Sequence, residues 1–370
     1  MARTSSSQSS VSEGLFTRMQ EEMEHQVERF EQMLKLGLNP PRVPVGLTPK
    51  EEIWSKNKAK LYRYVPVKDT LYPVPVLLVY ALINRPYIMD LTPGNSFVQY
   101  LVNQGFDVYL IDWGVAGDED RHLKFDDYVL DYLPKMIQKV LKTSRSETFT
   151  LLGYCLGATI AVLYAGQDQR VCVPHGPLQN LVLLTAPVDF TDADLFSVWL
   201  DKRYFDIDRV VDTFGNIPPE FVDFGNKLLK PVTNFLSTYT NLYDKMYDEQ
   251  FVNGWRAMNQ WVNDGVPFPG EAYRQLIKDF YQDNAIARGT FKMRGRPVNL
   301  ANITCPLLNI AAERDHIVQL SQSARVMDLV SSTDKEFVVM PGGHVGLVVG
   351  RAAVKTLWPK VSSWLAERSR

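Results

Sequence analysis

The sequence has few cysteines, no excess of positive charge and no long apolar stretch, and each shortage excludes a class of protein. Three cysteines stand among 370 residues without regular spacing, so a disulfide-framed domain is not expected. Lysine and arginine number 40 against 42 acidic residues, which leaves no basic excess for binding nucleic acid. The longest nearly uninterrupted apolar run, Val74 to Ile83, is too short to span a bilayer.

Signals for targeting and for metal binding are also missing. The N-terminus has no apolar core of the kind found in signal peptides. The five histidines are scattered and no CxxC pair occurs, so neither a metal nor a cofactor is predicted. We therefore expect a cytoplasmic protein with reduced thiols and no membrane span.

Apolar runs and helical stretches alternate from residue 61 onward. The runs are short and almost continuously apolar, as in buried parallel strands joined by helical crossovers. They are Leu61–Val65, Val74–Ala81, Phe106–Asp112, Phe149–Gly153, Leu181–Thr185, Leu307–Ala311 and Phe337–Met340, with helical stretches such as Ser96–Gln104 and Asp126–Leu141 between them. The pattern predicts an α/β fold with a mostly parallel sheet and helices on both faces.

The segment 188–290 interrupts this alternation, and it is too long to be an ordinary loop. We predict a helical cap there, inserted between a first core part at 46–187 and a second at 291–370. Its aromatic residues suit the exclusion of water from a site, or they form a second core, and the two interpretations are compatible. They are Trp199, Tyr204, Phe205, Phe214, Phe235, Tyr239, Trp255 and Trp261.

Residues 1–45 are predicted to form a Ser-rich disordered start, an amphipathic helix over 15–36 and a proline linker. The apolar stripe of the helix is rich in methionine. Two interpretations stay open, a helix that packs on its own domain and a docking helix for a partner subunit. The stripe consists of Phe16, Met19, Met23, Phe30 and Met33, with Gln26 interrupting it.

The segment Gly153-Tyr154-Cys155-Leu156-Gly157 has the form of a nucleophile elbow in which cysteine replaces serine. An apolar strand precedes it and a helix-like run, Thr159–Ala165, follows it. The glycines avoid clashes in the tight turn, and the helix N-terminus favours a thiolate. We predict Cys155 as the nucleophile and interpret Cys172 and Cys305, which lack such a setting, as structural.

A thiol nucleophile needs a base and an orienting acid, which in the α/β-hydrolase fold follow it in the order acid, histidine. Asp315 and His344 each come directly after an apolar strand. Both therefore belong to loops at the carboxyl ends of strands, where sites on such sheets lie. We predict these two as acid and base, with Glu313 and His316 as alternatives.

An oxyanion hole is expected beside the elbow. The backbone N–H of Leu156 is one predicted donor, and the second lies after the strand Val74–Tyr80, at Leu82 or Ile83, with Ile83 named as the candidate.

The choice of cysteine favours acyl transfer over hydrolysis. A cysteine acyl-enzyme is a thioester that stays activated, so the acyl group can pass to a hydroxyl when water is excluded. A cysteine hydrolase or thioesterase is the alternative, and a non-catalytic scaffold is disfavoured because all three site residues are present.

Seven longer segments match the motifs of one enzyme family. They are Leu47–Lys50, Lys56–Tyr64, Asp90–Ser96, Gly105–Gly114, Gly215–Pro219, Pro267–Arg274 and Arg314–Ile317. From about Gly46 to the C-terminus the chain resembles the catalytic subunit of polyhydroxyalkanoate synthases, of the class III and IV type and most like class IV of bacilli.

The resemblance implies polymerisation of (R)-3-hydroxyacyl-CoA into a polyester that accumulates as granules, with release of CoA and no separate cofactor. The family's nucleophile, acid and base fall on Cys155, Asp315 and His344. It also implies a small second synthase subunit, and we expect a homo-oligomer located at the granules. Ala158 stands where the family usually has a further glycine after the elbow.

Overall fold

A computed structural model describes residues 23–33, 42–229 and 242–369 of the chain. The chain divides into two compact units, one within 1–44 and 230–260 and the other within 45–229 and 261–370. The predicted disordered start at 1–12 lies outside the described residues.

The larger unit is built on an eight-stranded sheet with the order β1-β2-β4-β3-β5-β6-β7-β8. In chain order the strands are β1 (Lys50–Lys56), β2 (Ala59–Tyr64), β3 (Val76–Val79), β4 (Val108–Asp112), β5 (Phe149–Tyr154), β6 (Leu178–Leu184), β7 (Leu307–Ala312) and β8 (Lys335–Met340). The pairs β1–β2 and β2–β4 are antiparallel, and the remaining pairs are parallel. The predicted mostly parallel sheet is confirmed.

The strand β1 was not predicted, and its composition explains why. It is an edge strand with two adjacent glutamates and a lysine at each end, and most of its side chains are exposed or half-buried. It forms a hairpin with β2 through the two-residue turn Asn57-Lys58, in which Asn57 has a φ of 53°. Asparagine tolerates this left-handed conformation, so Asn57 was the residue in the sequence that could have indicated a hairpin.

Helices connect the parallel strands. Within the described residues, the α-helices of four or more residues are α1 (residues 23–33), α2 (Phe97–Gln104), α3 (Leu133–Ser144), α4 (Leu156–Gly166), α5 (Leu195–Trp199), α6 (Ile207–Phe214), α7 (Pro219–Leu229), α8 (Glu249–Asn263), α9 (Gly270–Gln275), α10 (Leu320–Ala324), α11 (Val326–Leu329), α12 (Arg351–Lys355) and α13 (Leu357–Arg368). A π-helical turn, Tyr128–Tyr132, leads into α3, and another, Leu276–Gln282, continues α9. The two predicted helical stretches are confirmed within a few residues. Ser96 caps α2, since its hydroxyl accepts the Gln99 N–H at 2.9 Å.

The helix α4 lies in the centre of the larger unit. All eleven of its residues are buried, and it packs against β3, β5 and β6. A helix that is apolar on every side is suited to such a position. Because it follows β5 directly, α4 fixes the direction in which the intervening residue, Cys155, points.

Between β6 and β7 the described chain runs through the helices α5 to α9 and adds no strand to the eight-stranded sheet. The Ile217 N–H donates to the Phe268 carbonyl at 2.8 Å and the Phe268 N–H donates back at 2.9 Å, which joins the start of α7 to the start of α9. The function of this 188–290 segment as a cap stays a prediction.

The smaller unit contains α1 and the segment 242–260. The His25 ring stacks on Tyr247 with centroids 4.1 Å apart, and the Arg29 guanidinium lies over Tyr243 at 5.7 Å and over Tyr247 at 5.6 Å. A small buried cluster lies in the same unit, consisting of Leu242, Met246 and Val252, with Phe251 and Trp255 packed against it.

The apolar stripe of α1 lies on a different face from these contacts. Of the predicted stripe, Met23 is 70% exposed, Phe30 61% and Met33 47%, and Val27, which the predicted stripe did not include, is 60% exposed. The predicted helix is thus confirmed over residues 23–33, while Phe16 and Met19 lie outside the described residues.

Candidate active site

The elbow between β5 and α4 holds Cys155 in a strained backbone conformation, with φ 56° and ψ −128°. Two close approaches explain the flanking glycines. A Cβ on Gly153 would lie 2.4 Å from the Ala158 Cα, and one on Gly157 would lie 2.1 Å from the Val79 carbonyl oxygen. Only glycine fits at either position, and the strain is of the kind found at functional sites.

The Cys155 side chain is held at the N-terminus of α4 and at the carboxyl end of β5. The backbone N–H of Cys155 donates to the Leu184 carbonyl at 3.0 Å, and the backbone carbonyl of Cys155 accepts the Ala158 N–H at 2.8 Å. The residue is 6% exposed. Cys155 is therefore the N-cap residue of an eleven-residue helix, at the end of that helix where its dipole is positive.

Asp315 and His344 meet at the same edge of the sheet, from the loops after β7 and β8. The His344 Nδ1 lies 2.7 Å from the Asp315 Oδ2. The other carboxylate oxygen accepts the N–H groups of Ile317 and Val318, each at 2.9 Å. Both carboxylate oxygens therefore have partners, and the imidazole is fixed from one side.

Electrostatics favour the charged forms of this buried pair. Burial raises the pKa of Asp315, but the charge and hydrogen bond of His344 outweigh it, and the pKa lies below its usual value. Burial lowers the pKa of His344, but Asp315 and Cys155 raise it well above its usual value. Cys155 interacts with His344 and contributes to its raised pKa, so the structure brings the three predicted site residues together.

The alternatives from the sequence are placed differently. Glu313 is exposed and His316 is half-buried, whereas Asp315 and His344 are both buried and in contact. The geometry thus favours Asp315 and His344 over the alternatives. Their catalytic roles stay a prediction.

Tyr154 is a further member of the site that the sequence did not indicate. Its hydroxyl donates to the main-chain carbonyl of His344 at 3.0 Å, and its ring stacks on the imidazole with centroids 5.4 Å apart. The Tyr80 ring in turn packs against the Tyr154 ring, with centroids 5.7 Å apart. Tyr154 occupies a variable position of the elbow, so only the fold reveals that it touches the histidine loop.

A cavity of about 340 Å³ adjoins the elbow. Cys155 and Leu156 line it, and so does Ile83, the predicted second oxyanion residue. None of the described residues that line the cavity carries a charge, and aromatic rings form much of its wall. These rings belong to Phe196, Trp199, Phe205, Phe221, Phe224, Phe268, Tyr273 and Tyr281.

The aromatic residues predicted to exclude water fall into several groups. Trp199 and Phe205 line the cavity, whereas Tyr204 and Phe214 are 81% and 51% exposed. Trp261 is buried, and its indole N–H donates to the Arg85 carbonyl at 2.8 Å, away from the cavity lining. Trp255 packs in the smaller unit, and Phe235 and Tyr239 lie outside the described residues.

The described residues contain no group of three or more His, Cys, Asp or Glu side chains that could hold a metal ion. No helix within the described ranges is long and apolar enough to cross a bilayer.

The sheet and the elbow define an α/β hydrolase, and residues 74–350 match the family model for the alpha/beta hydrolase fold. A solved structure of similar fold is a soluble variant of monoglyceride lipase from Saccharomyces cerevisiae, in complex with a substrate analog. It has a TM-score of 0.52 and 14% identity, over 90% of this chain and 99% of that chain. Identity this low shows the fold alone.

Within that class, residues 12–101 match the family model of the poly-beta-hydroxybutyrate polymerase (PhaC) N-terminus. Relatives named poly(3-hydroxyalkanoate) polymerase subunit PhaC include one from Haloferax mediterranei, 42% identical over 88% of this chain and 65% of its own length. Another, from Synechocystis, is 38% identical over 90% of this chain and 88% of its own length. A third, from Thiocystis violacea, is 35% identical over 95% of this chain and 98% of its own length.

The chain therefore belongs to the PhaC family of poly(3-hydroxyalkanoate) polymerases. This confirms the predicted enzyme class, an acyltransferase, and the predicted α/β-hydrolase fold.

Proposed function

We propose that this chain polymerises (R)-3-hydroxyacyl groups from their CoA thioesters, through a covalent thioester on Cys155. The observation that carries the proposal is the buried contact chain Cys155–His344–Asp315 beside an uncharged cavity. Family membership supplies the polymerase reaction, and this geometry supplies the residues for it.

Acylation begins with the proton of the Cys155 thiol held by His344, in the charged form of the imidazole that Asp315 and Cys155 favour. The thiolate attacks the thioester carbonyl of the substrate, and the negative charge on the carbonyl oxygen is met by the backbone N–H groups of Leu156 and Ile83. The CoA thiol then leaves with the proton held by His344. Because the new acyl-enzyme is also a thioester, this exchange is nearly balanced in energy.

Transfer follows when a hydroxyl attacks the acyl carbon on Cys155 and His344 takes the hydroxyl proton. The ester bond forms, the bond between the acyl carbon and the Cys155 sulfur breaks, and Cys155 is regenerated with its proton on His344. The apolar wall of the cavity keeps water, the competing nucleophile, at low concentration. The 188–290 segment, which supplies Trp199 and Phe205 to that wall, acts as the cap in this proposal.

Asp315 orients His344 rather than activating the hydroxyl directly. One of its oxygens contacts the imidazole at 2.7 Å, and the other already accepts two backbone N–H groups. A carboxylate with both oxygens in use is suited to holding a histidine in one tautomer and orientation.

The proposal extends to the assembly. The methionine-containing face of α1 is exposed, and flexible methionine side chains suit an adaptable interface, so we assign it to a small second synthase subunit of the class III or IV type. A homo-oligomer and a location at polyester granules complete the proposed assembly.

The function is tested by incubating the chain with (R)-3-hydroxybutyryl-CoA, with and without a candidate second subunit. CoA release and insoluble polyester are measured together. Polymer in proportion to released CoA supports the proposal, and free hydroxy acid without polymer would instead identify a cysteine thioesterase.

The assigned interface is tested with Met23, Val27 and Phe30 replaced together by serine. We expect loss of co-purification with the second subunit and an unchanged melting temperature, since these side chains are exposed. Replacing Glu24, Glu28 and Glu31 by glutamine changes the same helix without touching the apolar face and serves as the control. Unchanged binding of the subunit by the serine variant rejects the assignment.

A further inference from the structure

Two cysteines that the proposed reaction does not use lie away from the candidate active site. Cys172 belongs to the loop between α4 and β6, and Cys305 directly precedes β7. Both are free and both are 0% exposed. Since β6 and β7 are parallel neighbours and both cysteines precede them, the two side chains lie at the amino ends of these strands, opposite Cys155.

A side-chain hydrogen bond joins the two cysteine segments. The Thr304 hydroxyl donates to the Val173 carbonyl at 3.2 Å, which joins the residues next to the two cysteines. The Leu178 N–H donates to the Val171 carbonyl at 2.9 Å and the Val173 N–H to the Leu178 carbonyl at 3.1 Å, so the Cys172 loop is folded back on the start of β6.

The two thiols interact across this link, and their surroundings are unequal. The Cys305 thiol and the backbone N–H groups of Cys305 and Thr304 act on Cys172 as donors. These donors lower the pKa of Cys172 against the effect of burial. The interaction with Cys172, together with burial, raises the pKa of Cys305 well above its usual value.

We propose that Cys172 and Cys305 form a second thiol site, which peroxides convert to an intramolecular disulfide. The Cys172 thiolate attacks one peroxide oxygen, the O–O bond breaks, and Cys172 becomes a sulfenic acid. The Cys305 thiol then attacks the Cys172 sulfur, the S–S bond forms, and water leaves. In total two thiols lose two electrons and two protons, and one hydrogen peroxide is reduced to two waters.

The position of the pair explains how a small oxidant reaches it. The sulfurs are buried, but Arg170, Pro174 and His175 in the same loop are exposed, so a local opening of this loop uncovers Cys172. The disulfide joins the two parts of the chain on either side of the 188–290 segment. It therefore restricts the unfolded chain strongly and is expected to raise the melting temperature.

The test treats the reduced full chain with hydrogen peroxide, blocks free thiols with an alkylating agent and maps the peptides by mass spectrometry. We expect one linked peptide containing Cys172 and Cys305, lost on reduction with dithiothreitol, and a higher melting temperature of the oxidised protein. Persistence of both residues as free thiols under peroxide that oxidises Cys155 overturns the proposal, and so does a disulfide from either of them to Cys155 or to another chain.

Variants separate the two steps. In Cys305→Ala the second thiol is missing, so a sulfenic acid is expected at Cys172 and is trapped with dimedone. In Cys172→Ala the attacking thiolate is missing, so Cys305 is expected to resist peroxide. If Cys305 is oxidised in Cys172→Ala as readily as in the unmutated chain, Cys172 is not the thiol that attacks the peroxide first. If a variant folds poorly, the peptide mapping of the unmutated chain still shows whether the disulfide forms. None of these readouts depends on polymerase activity.

Discussion

The carboxyl and amino ends of the central parallel strands both hold buried cysteine, but the partner of the sulfur differs. At the carboxyl end Cys155 has a φ of 56° and interacts with His344, beside a cavity of about 340 Å³. At the amino end Cys172 interacts with another thiol, Cys305, within a closely packed loop.

The difference shows that burial does not decide what a thiol does. An imidazole takes up a proton and returns it, so the Cys155 sulfur can form and break a bond to carbon in each cycle. A second thiol has no such proton exchange to offer at neutral pH, but it can complete a two-electron oxidation. Substitutions at the two ends should therefore differ in size and in kind.

The largest effect is expected for Cys155→Ser. The rate of CoA release should fall by ~10³-fold or more, because a serine hydroxyl gives up its proton far less readily than a thiol and forms a less activated ester. The near-isosteric change should leave the melting temperature close to that of the unmutated chain. The matched control is Cys305→Ser at the other end of the sheet, which should retain activity. Comparable losses in the two variants would remove the distinction between the two ends.

The second effect concerns the contact between acid and base. Asp315→Asn should lower the single-turnover rate of acylation and the steady-state rate of CoA release together, by ~10²–10⁴-fold, because the imidazole loses its orientation. Glu313→Gln, an exposed neighbour, is the control. Normal acylation with failed elongation would instead assign Asp315 to the activation of the hydroxyl.

A smaller effect is expected for Tyr154→Phe. The variant keeps the ring that stacks on His344 but loses the 3.0 Å hydrogen bond to its carbonyl, a contribution of about 1 kcal/mol. Activity should fall roughly fivefold, in line with that energy, and the rate of Cys155 alkylation by iodoacetamide should change with it. Tyr164→Phe, a buried tyrosine on α4, should lower stability without changing the alkylation of Cys155. Equal alkylation rates in both variants would show that the Tyr154 hydroxyl does not position the histidine loop.

The smallest effect on activity is expected for Cys172→Ala and Cys305→Ala. Polymer formation should continue near the unmutated rate under reducing conditions. Each variant loses a buried sulfur, which should cost about 1 kcal/mol and lower the melting temperature by roughly 2–4 °C. A collapse of activity in a folded variant would connect the amino end of the sheet to the reaction and contradict the comparison.

The parts of the fold that the sequence predicted are those with the strongest local patterns. Seven of the eight sheet strands follow from short apolar runs, and the central strands β3, β5 and β7 are buried on both faces. The elbow follows from two glycines that the close approach of Ala158 and Val79 requires. Asp315 and His344 follow from their place directly after strands, since parallel strands bring such loops to one edge.

The parts that the sequence did not predict depend on distant contacts. The edge strand β1 is too polar to show as an apolar run in the sequence, and it is a strand because it pairs with β2. Contacts of Tyr154 with His344 and of Cys172 with Cys305 join residues far apart in the chain, so no local pattern contains them. Cys172 and Cys305 were interpreted as structural for that reason.

Mass spectrometry of the chain, quenched soon after mixing with (R)-3-hydroxybutyryl-CoA, identifies the cysteine that carries the acyl group. The account predicts a hydroxybutyryl group, or a short oligomer of it, on the peptide that contains Cys155, while Cys172 and Cys305 remain unmodified. An acyl group on Cys172 or Cys305 with Cys155 free would contradict the account.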